Sequence, residues 1–311
     1  MNVQVLGALD AVQLAELDAL LTRCERADHH PALAEPQREA AARADLGGHG
    51  AQVVLAYEDE DGLVGCSFVT PALDGATAVH VAVDPDHRDG REGIAHELLR
   101  TALLHAHPTG GDRDVRLWIM QATAADDATA HDLGFVPERD LLQMRVPLPL
   151  PPEIVASARP VSTRPFQPGR DDAAWLSINN RAFADHPEQG RWTLDDLHEH
   201  MKFDWFDIEG FLVADRPDGN GLLGSCWTKV DRTSEPVLGE IYVISVDPDL
   251  HSQGWGRSLT VAGLQWMANR GVSVGMLYTT ASNTAAVTLY ESLGFTVDHV
   301  DRSYLLTRSS S

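Results

Sequence analysis

The hydrophobic pattern of the C-terminal half changes period several times, and each change marks an element. Gly210-Phe-Leu-Val-Ala-Asp215, Gly221-Leu-Leu-Gly-Ser-Cys-Trp-Thr-Lys-Val230 and the long β-branched run Leu238–Val246 are short apolar stretches bounded by turn residues, which predicts three strands. Asp171–Ala184 carries a helical pattern. Thr193-Leu-Asp-Asp-Leu-His starts another helix with Thr193 as its N-cap. After Val246 comes a glycine-containing loop, then a helix running to about Arg270. Val274–Thr279 reads as a strand and Ser282–Leu293 as a helix that stops at Gly294, the position where a left-handed glycine ends a helix. Phe295–Val300 and Arg302–Leu306 read as closing strands. Strands alternating with helices in this way predict a mixed α/β layer fold.

The N-terminal half repeats the pattern. Val79-His-Val-Ala-Val-Asp-Pro85, a gap, Glu92-Gly-Ile-Ala95 and Leu98-Leu99 match Ile241-Tyr-Val-Ile-Ser-Val-Asp-Pro248, a gap, Gln253-Gly-Trp-Gly256 and Leu259. Leu133-Gly-Phe135 matches Leu293-Gly-Phe295. The offset is 160 at the Gly-Phe pair, 161 at Gly93 and Gly254, and 163 at the prolines. A shared order at a near-constant offset implies two copies of one domain of about 150 residues. The expected boundaries are 1–147 for the first domain, 148–160 for a proline-rich linker and 161–311 for the second. Val146-Pro-Leu-Pro-Leu-Pro-Pro152 is expected to form no helix, because each proline lacks an N–H and restricts its predecessor. Part of that run can instead be the last strand of copy one and the first strand of copy two.

Composition narrows the class. The 311 residues include 46 Asp and Glu against 24 Lys and Arg, a formal charge of −22. So acidic a chain repels phosphate backbones, and no basic patch offsets it, so no nucleic-acid partner is expected. Cys24, Cys66 and Cys226 are odd in number and widely spaced, which is neither a disulfide framework nor a zinc-finger pattern. The N-terminus lacks a basic region before its apolar residues and is interrupted by Asp10, Glu16 and Asp18, unlike a signal peptide. No run reaches the roughly 20 apolar residues of a membrane span. A cytoplasmic protein with no membrane partner, and a monomer, is the expectation. His29-His30 and His105-Ala-His107 lack the spacing of a helical metal pair, so no metal is expected.

Asp249-Leu-His-Ser-Gln-Gly-Trp-Gly256 joins a strand to a helix. Glycines let backbone approach a ligand, and the helix's first N–H groups have no partner of their own, a geometry that binds a diphosphate. Taken alone, the loop reads equally well as a structural turn. It is followed by Asn283-Thr-Ala-Ala-Val-Thr-Leu-Tyr290-Glu-Ser-Leu-Gly-Phe295. Together these resemble the two signature regions of the GNAT acetyltransferases, with His251 where Gln or Arg is usual. The resemblance implies two tandem GNAT domains, each a mixed central sheet flanked by helices, and acetyl-CoA as cosubstrate. It puts acetyl-CoA along Ile244, Ser245 and Val246, then His251, Ser252, Gln253, Gly254, Trp255, Gly256 and Arg257, with Asn283, Thr284, Ala285, Ala286, Val287 and Thr288 flanking the pantetheine.

Further motifs sharpen the match: Asn179-Asn-Arg-Ala-Phe-Ala-Asp-His-Pro-Glu-Gln-Gly190, Trp192-Thr, Trp227-Thr-Lys229 and Gly239-Glu-Ile-Tyr-Val. They resemble the tandem actinobacterial members of the family that acetylate the cysteinyl amine of desacetylmycothiol, a cysteinyl glucosaminyl-inositol. That resemblance implies a small-molecule substrate held by Glu35, Glu188, Lys229, Glu240 and Tyr278. Amide formation from a thioester needs a base for the amine and a donor for the departing thiolate. Glu240 opens the strand leading to the glycine loop and is the candidate base; the plain alternative is a solvated strand-end carboxylate. Tyr290, two helical turns after Asn283, is the candidate acid; the plain alternative is a core aromatic. Other acceptors on the same fold are another small amine or a peptide N-terminus, and a non-catalytic acyl-CoA sensor is the reading from a different class.

Copy one lacks this chemistry. The offsets set Thr77 opposite Glu240, Thr123 opposite Asn283 and Ala130 opposite Tyr290, and none of these can serve as base or acid at those points. By resemblance it can still bind acetyl-CoA along Val81, Ala82, Val83, Arg91, Glu92, Gly93, Ile94, Ala95 and His96. Otherwise it is a degenerate domain kept for packing.

Overall fold

The computed structural model describes residues 1–28, 31–33, 51–72, 75–88, 93–106, 114–184, 190–219, 221–232 and 236–307. The chain forms two compact units, Met1–Asp140 with Val300–Ser311, and Leu141–His299.

The first unit contains β1 (Asn2–Leu6), α1 (Ala11–Asp28), β2 (Gln52–Glu58), β3 (Gly62–Pro71), β4 (Thr77–Val83), α2 (Ile94–His105), β5 (Val115–Ile119) and α3 (Ala124–Asp132). Its strand order is β1-β2-β3-β4-β5-β12, where β12 is Thr296–Leu306. The β4–β5 pair is parallel and its neighbours are antiparallel. Apolar side chains fill both faces: Val79, Val83, Leu98, Leu99 and Ala102 on the α2 side, and Leu17, Leu20, Cys24, Phe68 and Ala82 on the α1 side.

The second unit takes its first strand from β6 (Val136–Pro147), followed by α4 (Pro152–Ala156), β7 (Arg164–Pro165), α5 (Asp172–Ala182), α6 (Leu194–His200), β8 (Phe211–Asp215), β9 (Leu222–Asp231), β10 (Leu238–Val246), α7 (Trp255–Ala268), β11 (Val274–Thr280) and α8 (Thr284–Glu291). The order is β6-β11-β10-β9-β8-β7, with only β10–β11 parallel among the pairs described. The face under α7 and α8 is aliphatic, built on Leu259, Leu264, Met267 and Leu293. The face under α5 and α6 is aromatic: Trp175 and Trp227 meet edge to face at 5.9 Å, and Phe211 stacks on Trp227 at 4.2 Å.

Local sequence explains the helix ends. Thr193 caps α6 and Thr123 caps α3, each in a reciprocal capping box with the aspartate three residues on. Gly294 takes φ +93° just after α8, as expected of its position. Pro152 occupies the first turn of α4, where a missing N–H costs nothing, so the proline-rich run does open one short helix.

The path of the closing segments differs from the expectation. The closing segments Phe295–Val300 and Arg302–Leu306 form one strand, β12, whose residues 302–306 pair with β5 in the first unit. Likewise residues 141–147 of β6 pair with β11 in the second unit. The compact units thus run Met1–Asp140 with Val300–Ser311 and Leu141–His299, and each sheet includes a strand from the other sequence copy. Cross-strand partners far apart in sequence leave no local trace, which is why the exchange is not legible in the chain.

Candidate active site

Strand β10 changes partners along its length. It pairs with β11 only over Leu238–Glu240, opposite Val274–Met276, while it stays paired with β9 as far as Val246. Strand β11 itself continues to Thr280 against β6. The two parallel strands thus part after Glu240. The β9 register also shifts, from Ile241 opposite Thr228 to Val243 opposite Trp227, which makes Tyr242 the extra residue of a β-bulge. Splay and bulge together turn the β11-facing backbone of residues 241–246 out of the ladder, the arrangement needed for N–H groups to meet a ligand carbonyl.

The same strand runs into the glycine loop. A 3-10 turn, Pro248–Leu250, is followed by Ser252 at φ +60° and Gly254 at φ +82°. Gly254 is the N-cap of α7 and makes no side-chain cap, so the first-turn N–H groups of α7 are left for a ligand. His251, Ser252, Gln253 and Gly254 are exposed. His251 Nε2 lies 3.2 Å from the Val246 carbonyl, so this departure from Gln or Arg closes the strand end. Not every expected cofactor residue presents a side chain. Trp255 is buried in the aliphatic core, and Ser245 lies in a buried chain in which Trp175 Nε1 donates to Ser225 Oγ (2.9 Å), itself 3.0 Å from Ser245 Oγ. Arg257 donates to Ser157 Oγ (2.7 Å) and Ser292 Oγ (2.6 Å). Asn283 Oδ1 accepts from Ala286 N and caps α8, while Thr284 and Ala285 are exposed on its first turn. Ala286, Val287 and Thr288 follow on the same helix, as Ile244 and Val246 do on β10.

Close contacts assign the faces. A Cβ on Gly239 would strike Met267, and one on Gly275 would strike Leu264, so both glycines face α7. Alternation then puts Glu240, Met276 and Tyr278 on the α5–α6 face. Lys229 stands directly opposite Glu240 on β9 and shares that face. The structure thus brings Glu240, Lys229 and Tyr278 to one side of the sheet at the splay. Lys229 Nζ sits 4.7 Å above the Trp205 ring and 5.7 Å from that of Tyr242, within cation–π range. Gln143 Nε2 donates to the Tyr278 hydroxyl at 2.7 Å, and Arg145 Nε donates to Gln143 Oε1 at 2.8 Å. Sequence reasoning missed Trp205, Tyr242 and Gln143. Gln143 comes from the other sequence copy, so no motif could flag it.

Tyr290 lies on the opposite face, 7% exposed, with its ring 5.7 Å from Phe295. Burial, with the Cys226 thiol a smaller cause, pushes its hydroxyl up to about 12. Glu35 and Glu188 lie outside the described residues, as do Arg91 and Glu92. Among the described residues no group of three or more His, Cys, Asp or Glu could hold a metal ion, and no helix is long and apolar enough to cross a membrane.

The first unit has the same splay: β4 pairs with β5 only over Thr77–His80 but continues to Val83 against β3. Val81, Ala82 and Val83 lie beyond the parting point, and Gly93 is the N-cap of α2 ahead of Ile94, Ala95 and His96. Register corrects one equivalence. Ala78 is opposite Thr70 and Arg116 as Glu240 is opposite Lys229 and Met276, so the counterpart of Glu240 is Ala78 rather than Thr77. The β10 bulge adds the residue that shifts the offset.

The chain is similar to known proteins over most of its length. Residues 174–295 match the model of the acetyltransferase (GNAT) family. A mycothiol acetyltransferase of Kocuria rhizophila is 41% identical over 297 residues, covering 93% of this chain and 94% of that protein. One from Thermomonospora curvata is 40% identical over 309 residues, covering 98% of each. Among solved structures, a tandem GNAT protein from the clavulanic acid biosynthesis pathway superposes with a TM-score of 0.71 at 15% identity, covering 100% of both chains. At that identity the likeness speaks for the fold. The relatives speak for more: the chain belongs to the mycothiol acetyltransferase family of GNAT N-acetyltransferases.

Proposed function

We propose that the second unit transfers the acetyl group of acetyl-CoA to the cysteinyl amine of desacetylmycothiol (Cys-GlcN-Ins), giving mycothiol and CoA, the last step in making that thiol. The observation that carries the reading is the placement of Glu240 at the point where β10 and β11 part, on one face with Lys229 and Tyr278. The residues present fit acetyl-CoA: the splayed edge of 241–246 offers N–H groups, and the left-handed Gly254 opens α7 toward an anion without requiring a cationic patch. When bound, acetyl-CoA supplies an acyl carbon activated as a thioester.

Glu240 accepts the proton of the attacking amine, directly or through water. A splayed N–H of residues 243–246 holds the thioester carbonyl. Lys229 and Tyr278 contact the hydroxyl-rich acceptor, with Glu35 and Glu188 as further proposed contacts. Tyr290, on the other face of the same splay, donates to the departing sulfur. A hydroxyl at about 12 is a weaker acid than a thiol with an ordinary pKa of about 8.5, so the donation is a hydrogen bond more than a complete transfer. The first unit, with Ala78 and Ala130 at the base and acid positions, is read as non-catalytic.

Acetyl transfer from acetyl-CoA to desacetylmycothiol, followed by CoA thiol release, tests the reading with Glu240→Gln as control. The expected loss in kcat is roughly 10²- to 10⁴-fold with acetyl-CoA affinity retained. Turnover of an unrelated amine but not of desacetylmycothiol would refute the acceptor, and full activity of Glu240→Gln would refute the base.

A further inference from the structure

The strand end that launches the glycine loop is held by a buried carboxylate. Asp247 is 3% exposed, and it sits between two arginines that no catalytic role accounts for. Arg181 Nη2, on the last turn of α5, donates to Asp247 Oδ1 at 2.7 Å, and its Nη1 reaches Asp249 Oδ2 at 3.4 Å. Arg216, just after β8, donates to Asp247 Oδ2. The carboxylate also accepts from Asp249 N at 3.1 Å, while Asp247 N donates to the Leu223 carbonyl at 2.9 Å. Burial alone would raise the Asp247 carboxyl; Arg216, the Asp249 N–H and Arg181 outweigh it and hold the group below the usual carboxylate range.

We infer that this Arg181–Asp247–Arg216 clamp is a positioning device for the cofactor loop, with Arg181 the residue that ties the loop to the acceptor-side helix. Five residues beyond Asp247 the backbone turns to φ +60° at Ser252 and then to +82° at Gly254. A loop held in such conformations presents converging N–H groups only if its start is immobile; otherwise binding must order it and affinity falls. The two arginine charges are matched by Asp247 and Asp249, so the contribution is geometric and not an attraction for phosphate. The first unit repeats the device: Arg23 Nε on α1 donates to the buried Asp84 at 2.6 Å, and Asp84 N to the Val64 carbonyl at 2.9 Å. Both units thus set a helix arginine, Arg23 of α1 and Arg181 of α5, on the aspartate after the loop-leading strand, which supplies an internal control.

This inference rests on the reading that acetyl-CoA occupies the glycine loop of the second unit. Arg181→Gln, Arg181→Lys and Arg23→Gln are compared with the wild type in full-length enzyme by steady-state kinetics, acetyl-CoA calorimetry and Tm. Arg181→Gln is expected to raise the acetyl-CoA KM and Kd about tenfold, with kcat and the acceptor KM changed by less than about threefold. Arg181→Lys, which keeps the charge but loses the fork, is expected to fall between. Arg23→Gln is expected to leave the acetyl-CoA KM unchanged whatever its effect on Tm. Unchanged acetyl-CoA KM in Arg181→Gln, or losses in kcat and both KM values that follow Tm in all three variants, would overturn the clamp. A wild type that turns over normally but whose acetyl-CoA affinity is insensitive to Gly254→Val would instead overturn the loop reading, and the clamp with it.

Discussion

Gly263, on the inner face of α7, is where packing and local propensity make opposite demands. An alanine there is favoured in an isolated helix by about 1 kcal/mol. Its Cβ, however, would stand 2.4 Å from Cys226 Sγ, 2.9 Å from Ile241 Cδ1 and 3.4 Å from Thr228 Cγ2. Cys226 and Ile241 are both buried, and the sulfur hangs on a single bond from β9, so it cannot fold away as the tip of a long chain would. Relief requires α7 to move off the sheet, and with two neighbours overlapped this severely the overpacking cost lies in the upper part of its usual range, about 2–3 kcal/mol. Gly263→Ala is therefore expected to destabilise by about 1–2 kcal/mol net, lowering Tm by about 2–8 °C in a domain of this size. Because Ile241 immediately follows Glu240 and precedes the bulge, kcat should fall as well. Calorimetry on Gly263→Ala, Cys226→Ala and the double variant closes the argument. Cys226→Ala alone should cost about 1 kcal/mol for the lost sulfur packing, and the double variant should be more stable than the sum of the singles by about 1–2 kcal/mol. A Gly263→Ala protein as stable as the wild type, or additive singles, would refute the close fit of α7 on β9 and β10.

Tyr290→Phe keeps the ring against Phe295 and should leave Tm nearly unchanged while lowering kcat at least about tenfold. With the hydroxyl pushed up to about 12, the kcat profile should lack an alkaline limb from Tyr290 below pH about 11; such a limb near pH 10 that vanishes in Tyr290→Phe would contradict its burial. Among the ion-paired carboxyls held below their ordinary values are Asp127, by the Tyr304 hydroxyl and Arg302, Glu138, by Arg116, and Asp215, by Arg164. A depressed folded-state pKa gives stability that is present above the unfolded value and lost as pH falls through the folded one, so Tm should decline below pH about 4 and the decline should shrink in Arg302→Gln.

What the chain spells out by itself is whatever depends on neighbours in sequence. The β-branched run Leu238–Val246, the Thr193 cap, the left-handed Gly294 and the strand–glycine loop–helix order all appear where they were expected, because each is a contest between a residue and the backbone within a few positions of it. The tandem repeat and the family were legible for the same reason. Strand pairing belongs to the tertiary structure. Nothing near Gln143 announces that it will hold the Tyr278 hydroxyl 135 residues away, and nothing near Tyr304 announces a place against β5. The β10 bulge is decided by packing as well: one extra residue at Tyr242 puts Glu240 on the aromatic face with Lys229 and makes Ala78, not Thr77, its counterpart. A strand's faces reverse with a single-residue slip, so the composition of the site was readable from residue types, but its assembly required the register that only long-range pairing supplies.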